Sequence, residues 1–176
     1  MTAVLPSMRA AASRVADRYS RSADDDRPLR GYLMLMGAYG TTVVGLTGLA
    51  VALGRKPPRS VSAGDVALLT AATYKLSRIL TKDAIASPLR APFTQYKEPI
   101  GEGEVSEEPA HHDPLRHAAG ELVNCPFCTS MWIATTFTAG MVFAPGFTRL
   151  ATTALTAVAG SDVLHFAYTA MREKVE

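Results

Sequence analysis

Two long stretches of the chain carry no charge. GYLMLMGAYGTTVVGLTGLAVALG fills the 24 positions between Arg30 and Arg55, and LVNCPFCTSMWIATTFTAGMVFAPGFT the 27 between Glu121 and Arg149. A helix needs about 20 apolar residues to cross a hydrocarbon core about 30 Å thick, and both runs reach that length. No segment reads as paired strands, so helices are the expected spanning elements. The pattern predicts four spans, at about residues 31–53, 63–82, 126–144 and 150–171. The expected fold class is therefore all-α: an integral membrane helical protein whose last two spans form a tight hairpin around Pro145-Gly146.

The borders of these runs are marked by local chemistry. Arg55-Lys56-Pro57-Pro58-Arg59 ends the first, and Ser62 with Asp65 three positions later opens the second as a capping box. Within that second segment only Val66 to Tyr74 is free of charge. Lys75, Arg78 and Lys82 follow on one helical face, where their stems can snorkel toward an interface. The competing reading is an amphipathic helix lying on the membrane. Residues 1–30 form a polar, weakly amphipathic segment expected in the cytosol, and residues 31–176 form the membrane domain. Between the second and third spans, EPIGEGEVSEEPAHHDP sets five glutamates among Gly and Pro. Such a composition buries too little apolar surface to fold, so residues 97–114 are expected to be a flexible acidic linker.

Composition adds little to this picture because the 48% of hydrophobic residues is ordinary on average and informative only through its clustering. A net charge of +2 and the lack of any basic-aromatic motif point away from nucleic acid. The polar segment ahead of the first span is too long for the n-region of a cleaved signal peptide. Lys and Arg near the spans are more numerous on the side that holds both termini and the 81–124 connection. That side has Arg27, Arg30, Lys82, Arg90, Arg116, Arg172 and Lys174, against Arg55, Lys56, Arg59 and Arg149 opposite. The positive-inside rule then places both termini in the cytoplasm.

Chemistry concentrates at few positions. Cys125 and Cys128 are the only cysteines, in NCPFCTSMWIA. Proline suits the first helical position, so Pro126 predicts a helix start with Cys125 as its cap and Cys128 in its first turn. That is the setting of reactive Cys-x-x-Cys thiols. Zinc needs four ligands, and His117 and Glu121 would share a face with the cysteines only if the helix ran unbroken through Pro126. His111 and His112 lie nearby in sequence. Packing, redox chemistry and a metal–thiolate site all stand open for the pair. No cofactor is predicted, zinc being the metal such a set would take. Asp162, inside the last span, is costly in lipid and calls for a partner, for which Lys75 and Arg78 of the second span are the candidates, with His165 one turn on. Gly37, Gly45 and Gly48 fall near one face of the first span, where small residues let helices approach closely. Trp132 is a further candidate packing residue.

Three stretches together, TYKLSRILTKDAIASPLRAPFT, GELVNCPFCTSMWIA and AVAGSDVLHFAY, resemble a bacterial family of membrane proteins, domain of unknown function 1360. The resemblance covers roughly residues 64 to 170 and rests on Lys82, Asp83, Arg90, Pro92, Phe93, Glu121, Cys125, Pro126, Cys128, Trp132 and Asp162. It implies a multi-pass membrane protein, with a sporulation-associated member among the relatives, and implies no reaction. The function expected is a non-enzymatic structural or partner-binding component. Its surroundings would be the lipid bilayer and a protein partner or a second copy. A thiol redox or metal–thiolate protein built on Cys125 and Cys128 is the alternative.

Overall fold

The Ser62 capping box forms as the sequence predicts: the Asp65 N–H donates to Ser62 Oγ at 3.0 Å, and the Ser62 N–H donates back to Asp65 Oδ2 at 3.3 Å. This computed structural model describes residues 14–15, 28–110 and 113–174. The expected amphipathic segment 1–30 falls almost wholly outside them. The helices are α1 (Leu29–Ala52), α2 (Ala63–Thr81), the one-turn α3 (Ser87–Arg90), α4 (Pro114–Asn124), α5 (Pro126–Phe143) and α6 (Pro145–Glu173). A 3₁₀ turn at Ala84–Ala86 precedes α3.

Contacts between helix ends show how α1, α2, α5 and α6 alternate in direction. Tyr32 near the start of α1 meets Glu121 of α4, just before α5 begins. Asp65 at the start of α2 meets Arg149 at the start of α6 at 3.1 Å. Further along the same pair of helices, Thr156 Oγ1 donates to the Leu68 carbonyl at 3.1 Å. Helix α2 packs against both α5 and α6, whereas α1 leans mainly on α4. Pro145 stands at the first helical position of α6, so the expected turn is that helix's own first turn. Helix α6 therefore begins five residues ahead of the span expected at 150.

The segment expected to be a flexible linker is instead an antiparallel hairpin, β1 (Thr94–Gly101) paired with β2 (Glu104–Pro109). The register runs from Thr94 opposite Pro109 to Gly101 opposite Glu104. Gly103 closes the turn at φ +76°, a left-handed conformation that side chains disfavour. The base of the hairpin is tied to the end of α2, with Val105 N–H donating to Lys82 O at 2.9 Å and Ala84 N–H to Gly103 O at 2.8 Å. The chain is thus mostly helical with a small sheet, and the purely all-α expectation is corrected. The linker reading failed because it weighed apolar area alone. Three of the glutamates between 98 and 108 instead meet cations: Arg78 with Glu104, Arg90 with Glu107 and Lys97 with Glu108.

Among the described residues two helices, α1 and α6, are long and apolar enough to cross a membrane. The interior between helices is small and polar. Among the described residues the buried apolar positions are Ala72, Ala86, Ala118 and Ile133, while Ser77, Thr81, Thr148 and Thr152 are buried beside them. Large apolar side chains such as Met36, Val44, Val51, Leu150, Leu164 and Phe166 face outward.

Candidate functional site at the polar end of the helices

The end of the molecule that holds the hairpin, α3 and α4 collects most of its charged and titratable groups. Arg90 is the centre. Its side chain is 1% exposed and that of Glu107 is 4% exposed. Arg90 Nε and Nη2 donate to the two Glu107 oxygens at 2.9 and 2.8 Å, the bidentate geometry in which arginine–carboxylate pairs are strongest. Nη1 donates to the carbonyls of Leu80 and Asp83, and Nη2 also to Ser87 Oγ. The first of these closes an orphan carbonyl at the end of α2. Ser87 and Thr94 hydroxyls donate to Glu107 at 2.8 and 2.6 Å. Burial alone would raise the Glu107 carboxyl, but the hydrogen bonds from Arg90, Thr94 and Ser87, with the Arg90 charge, outweigh it and hold the group down at about 2. A single side chain therefore welds α2, α3 and the hairpin.

Next to this network, α4 carries the sequence-predicted polar pair. The Tyr32 hydroxyl donates to Glu121 Oε2 at 2.5 Å, which ties α1 to α4. His117 Nε2 stands 3.8 Å from the other Glu121 oxygen. At the same crossing Gly31 lies against the Pro114 carbonyl and Ala118, with no room for a Cβ. Lys82 Nζ donates to Asn124 Oδ1 at 3.2 Å, and the Asn124 amide donates to the Glu107 carbonyl.

Cys125 is the cap of α5. Its extended backbone, φ −102° and ψ 110°, separates α4 from α5, and its Sγ accepts the Cys128 N–H at 3.3 Å. His117 and Glu121 therefore belong to a different helix from Cys128. Both thiols are free, Cys125 half-buried and Cys128 exposed. Among the described residues no three His, Cys, Asp or Glu side chains converge in a way that could hold a metal ion. His111 and His112 lie outside those residues.

The two cations of α2 and Lys82, which caps it, go to three different partners. Lys75 Nζ lies 2.8 Å from Asp162 Oδ2 of α6. Arg78 bonds Glu104 of the hairpin through Nε at 3.2 Å and Nη2 at 2.5 and 2.6 Å, and Lys82 bonds Asn124. The structure thus brings Asp162 to Lys75 and not to Arg78, while His165 is exposed on α6. Trp132 meets Tyr39 of α1 edge to face, ring centroids 5.2 Å apart at 74°. Among the described residues a Cβ added at Gly37, Gly45 or Gly48 would meet nothing within 4 Å, so no described side chain covers that face of α1. Close helix contact occurs elsewhere, at Gly140 of α5, where a Cβ would strike the Thr148 side chain of α6.

Glu107, Ser87, Thr94 and Tyr32 were not singled out by the sequence reading, and Arg90 entered it only as a charge near a span and through resemblance. The signal present was a strand-favouring TQYK before a Gly-Glu-Gly turn, outweighed by the acidic composition around it. A family model described as protein of unknown function (DUF1360) matches residues 68–168, from α2 through most of α6. Comparison with curated proteins and with solved structures returns no match.

Proposed function

The chain belongs to the DUF1360 family, whose description assigns no reaction, and from that premise we propose a multi-pass membrane protein that acts by binding a partner or a second copy and not by turning over a substrate. In this reading α1, α2, α5 and α6 are four spans of the cell (inner) membrane, and the hairpin, α3 and α4 cap them on the cytoplasmic side together with both termini. The observation that carries it is the inverted distribution of side chains. Ser77, Thr81, Thr148 and Thr152 pack between helices while large apolar side chains face outward. Helix contacts in lipid are built from small residues in this way, whereas in water such an exposed apolar surface would drive aggregation. The strongest charges of the polar end, Arg78, Arg90, Glu104 and Glu107, are engaged with one another and hold elements together. The open glycine face of α1 is the surface best suited to a second helix.

Single-cysteine labelling in a chain with Cys125 and Cys128 replaced tests the topology. Positions in 53–62 and at Gly146 are expected to label from one side, and positions in 97–110 and near residue 174 from the other. Labelling of all positions from one side, or release of the protein by alkaline washing, sinks the reading. The assembly arm is tested by mass in mild detergent, where Gly45→Leu is expected to dissociate the complex that the unaltered chain forms. A lone chain in both samples would count against partner binding through α1.

A further inference from the structure

We propose that the cleft between α1 and α5 seats an acyl chain of an anionic phospholipid, with Arg55 at the headgroup end. The inference rests on the membrane-spanning reading above. The cleft has a volume of about 580 Å³, with Tyr39 among its lining residues near one end and Arg55 and Pro57 at the other. That size falls within the range of about 300–1,000 Å³ usual for ligand sites. From Tyr39 to the end of α1 at Ala52, the helix rises about 20 Å at about 1.5 Å per residue. Half of a hydrocarbon core is about 15 Å, so the cleft runs the depth of one leaflet.

Its walls are apolar in a specific sense. Thr47 donates to Val43 O at 2.8 Å, Thr138 to Ala134 O at 2.8 Å, and Thr135 Oγ1 lies 2.9 Å from both the Met131 carbonyl and the Tyr39 hydroxyl. The protons of these hydroxyls are taken by their own helices or by each other, so a carbonyl or phosphate oxygen would find no free donor along the walls and would lose its water bonds on entry. An alkyl chain loses nothing. The charge lies at one end. Arg55 lines the cleft with no ion pair among the described residues, Lys56 and Arg59 follow it, and no acidic residue occurs between Arg30 and Asp65. Asp65 itself is paired with Arg149. A phosphate beside an alkyl chain complements both features.

A second copy's helix is the rival occupant, and the geometry of α1 disfavours it. At about 3.6 residues per turn, Val43, Leu46 and Ala50 on the cleft side lie roughly opposite Gly37, Gly45 and Gly48. The surface made for close helix contact faces away from the cleft. The cleft wall carries bulkier side chains, which suit a flexible chain.

The test uses the full chain in nanodiscs of equimolar dioleoyl-phosphatidylglycerol and dioleoyl-phosphatidylcholine, released into mild detergent for native mass spectrometry. The unaltered protein is expected to retain phosphatidylglycerol in preference to phosphatidylcholine. Arg55→Gln is expected to lower that preference about fivefold, the factor one cation near an anionic surface supplies. Ala134→Trp projects into the cleft from an exposed position and is expected to abolish retention with an unchanged thermal midpoint. Equal retention of the two lipids, or retention unaltered in both variants, overturns the proposal. A lipid-free dimer that Ala134→Trp breaks overturns it in favour of a second copy. Failure of the protein to enter nanodiscs at all is a separate result, which sinks the membrane reading and this inference with it.

Discussion

Arg90 shows how much one residue can hold together. Its five N–H groups have partners on α2, the turn after it, α3 and β2. Removing one member of such a pair leaves a buried, uncompensated charge at a cost of about 3–5 kcal/mol. Glu107→Ala is therefore expected to lower the thermal midpoint in detergent strongly. The double replacement Arg90→Leu with Glu107→Leu is expected to cost less than the single one, and a double replacement worse than both singles would refute the paired account. The same pair sets an acid limit. The folded Glu107 titrates at about 2 against an ordinary value of 4.5, so the unfolded chain binds the proton first on acidification. The contribution of this group, on the order of 3 kcal/mol from the shift, is fully present above about 4.5 and fades as the pH falls toward 2. Protease cleavage within 94–109 should rise across that window, and Glu107→Gln should flatten the rise. Lys75 and Asp162 face each other on α2 and α6. Lys75→Asp and Asp162→Lys are each expected to reduce accumulation of the protein in membranes, and their combination to restore it. No restoration would mean that the two charges act independently.

At the scale of elements, the four long helices α1, α2, α5 and α6 were legible, whereas α3, α4 and the hairpin were not. Apolar run length, the Ser62 capping box and Pro126 mark α1, α2 and the start of α5 because each signal is local and acts within one turn of chain. The hairpin forms because Glu104 and Glu107 find Arg78 and Arg90, which are 26 and 17 residues away in sequence. Composition within the segment cannot report partners outside it. The contact between α5 and α6 was equally hidden, since Gly140 reads as one glycine among several until Thr148 is seen against it. Gly140→Ala is expected to destabilise by about 1–3 kcal/mol through overpacking, and Thr148→Ala in the same chain to recover most of the loss by removing the atoms in the way. Thermal midpoints of the unaltered chain and the two variants measure this, and equal midpoints for the single and double variants would contradict the close approach.

At the scale of the whole molecule, the sequence by itself determined where the long uncharged runs lie, where several helices begin, and which few charged side chains inside the helical segments require partners. These follow from chain-local free energies: transfer of side chains, capping of exposed N–H groups, and the cost of an unpaired charge. Tertiary structure alone decided who those partners are. It gave Asp162 to Lys75 and Arg78 to Glu104, though both cations lie on one helix within a turn of each other. It split the candidate set of His117, Glu121, Cys125 and Cys128 between two helices. Among the described residues it also left the glycine face of α1 uncovered while opening a cleft on the opposite face. The reason is geometric. Pairing and packing depend on distances between segments remote in sequence, and those distances exist only once the helices have been set side by side.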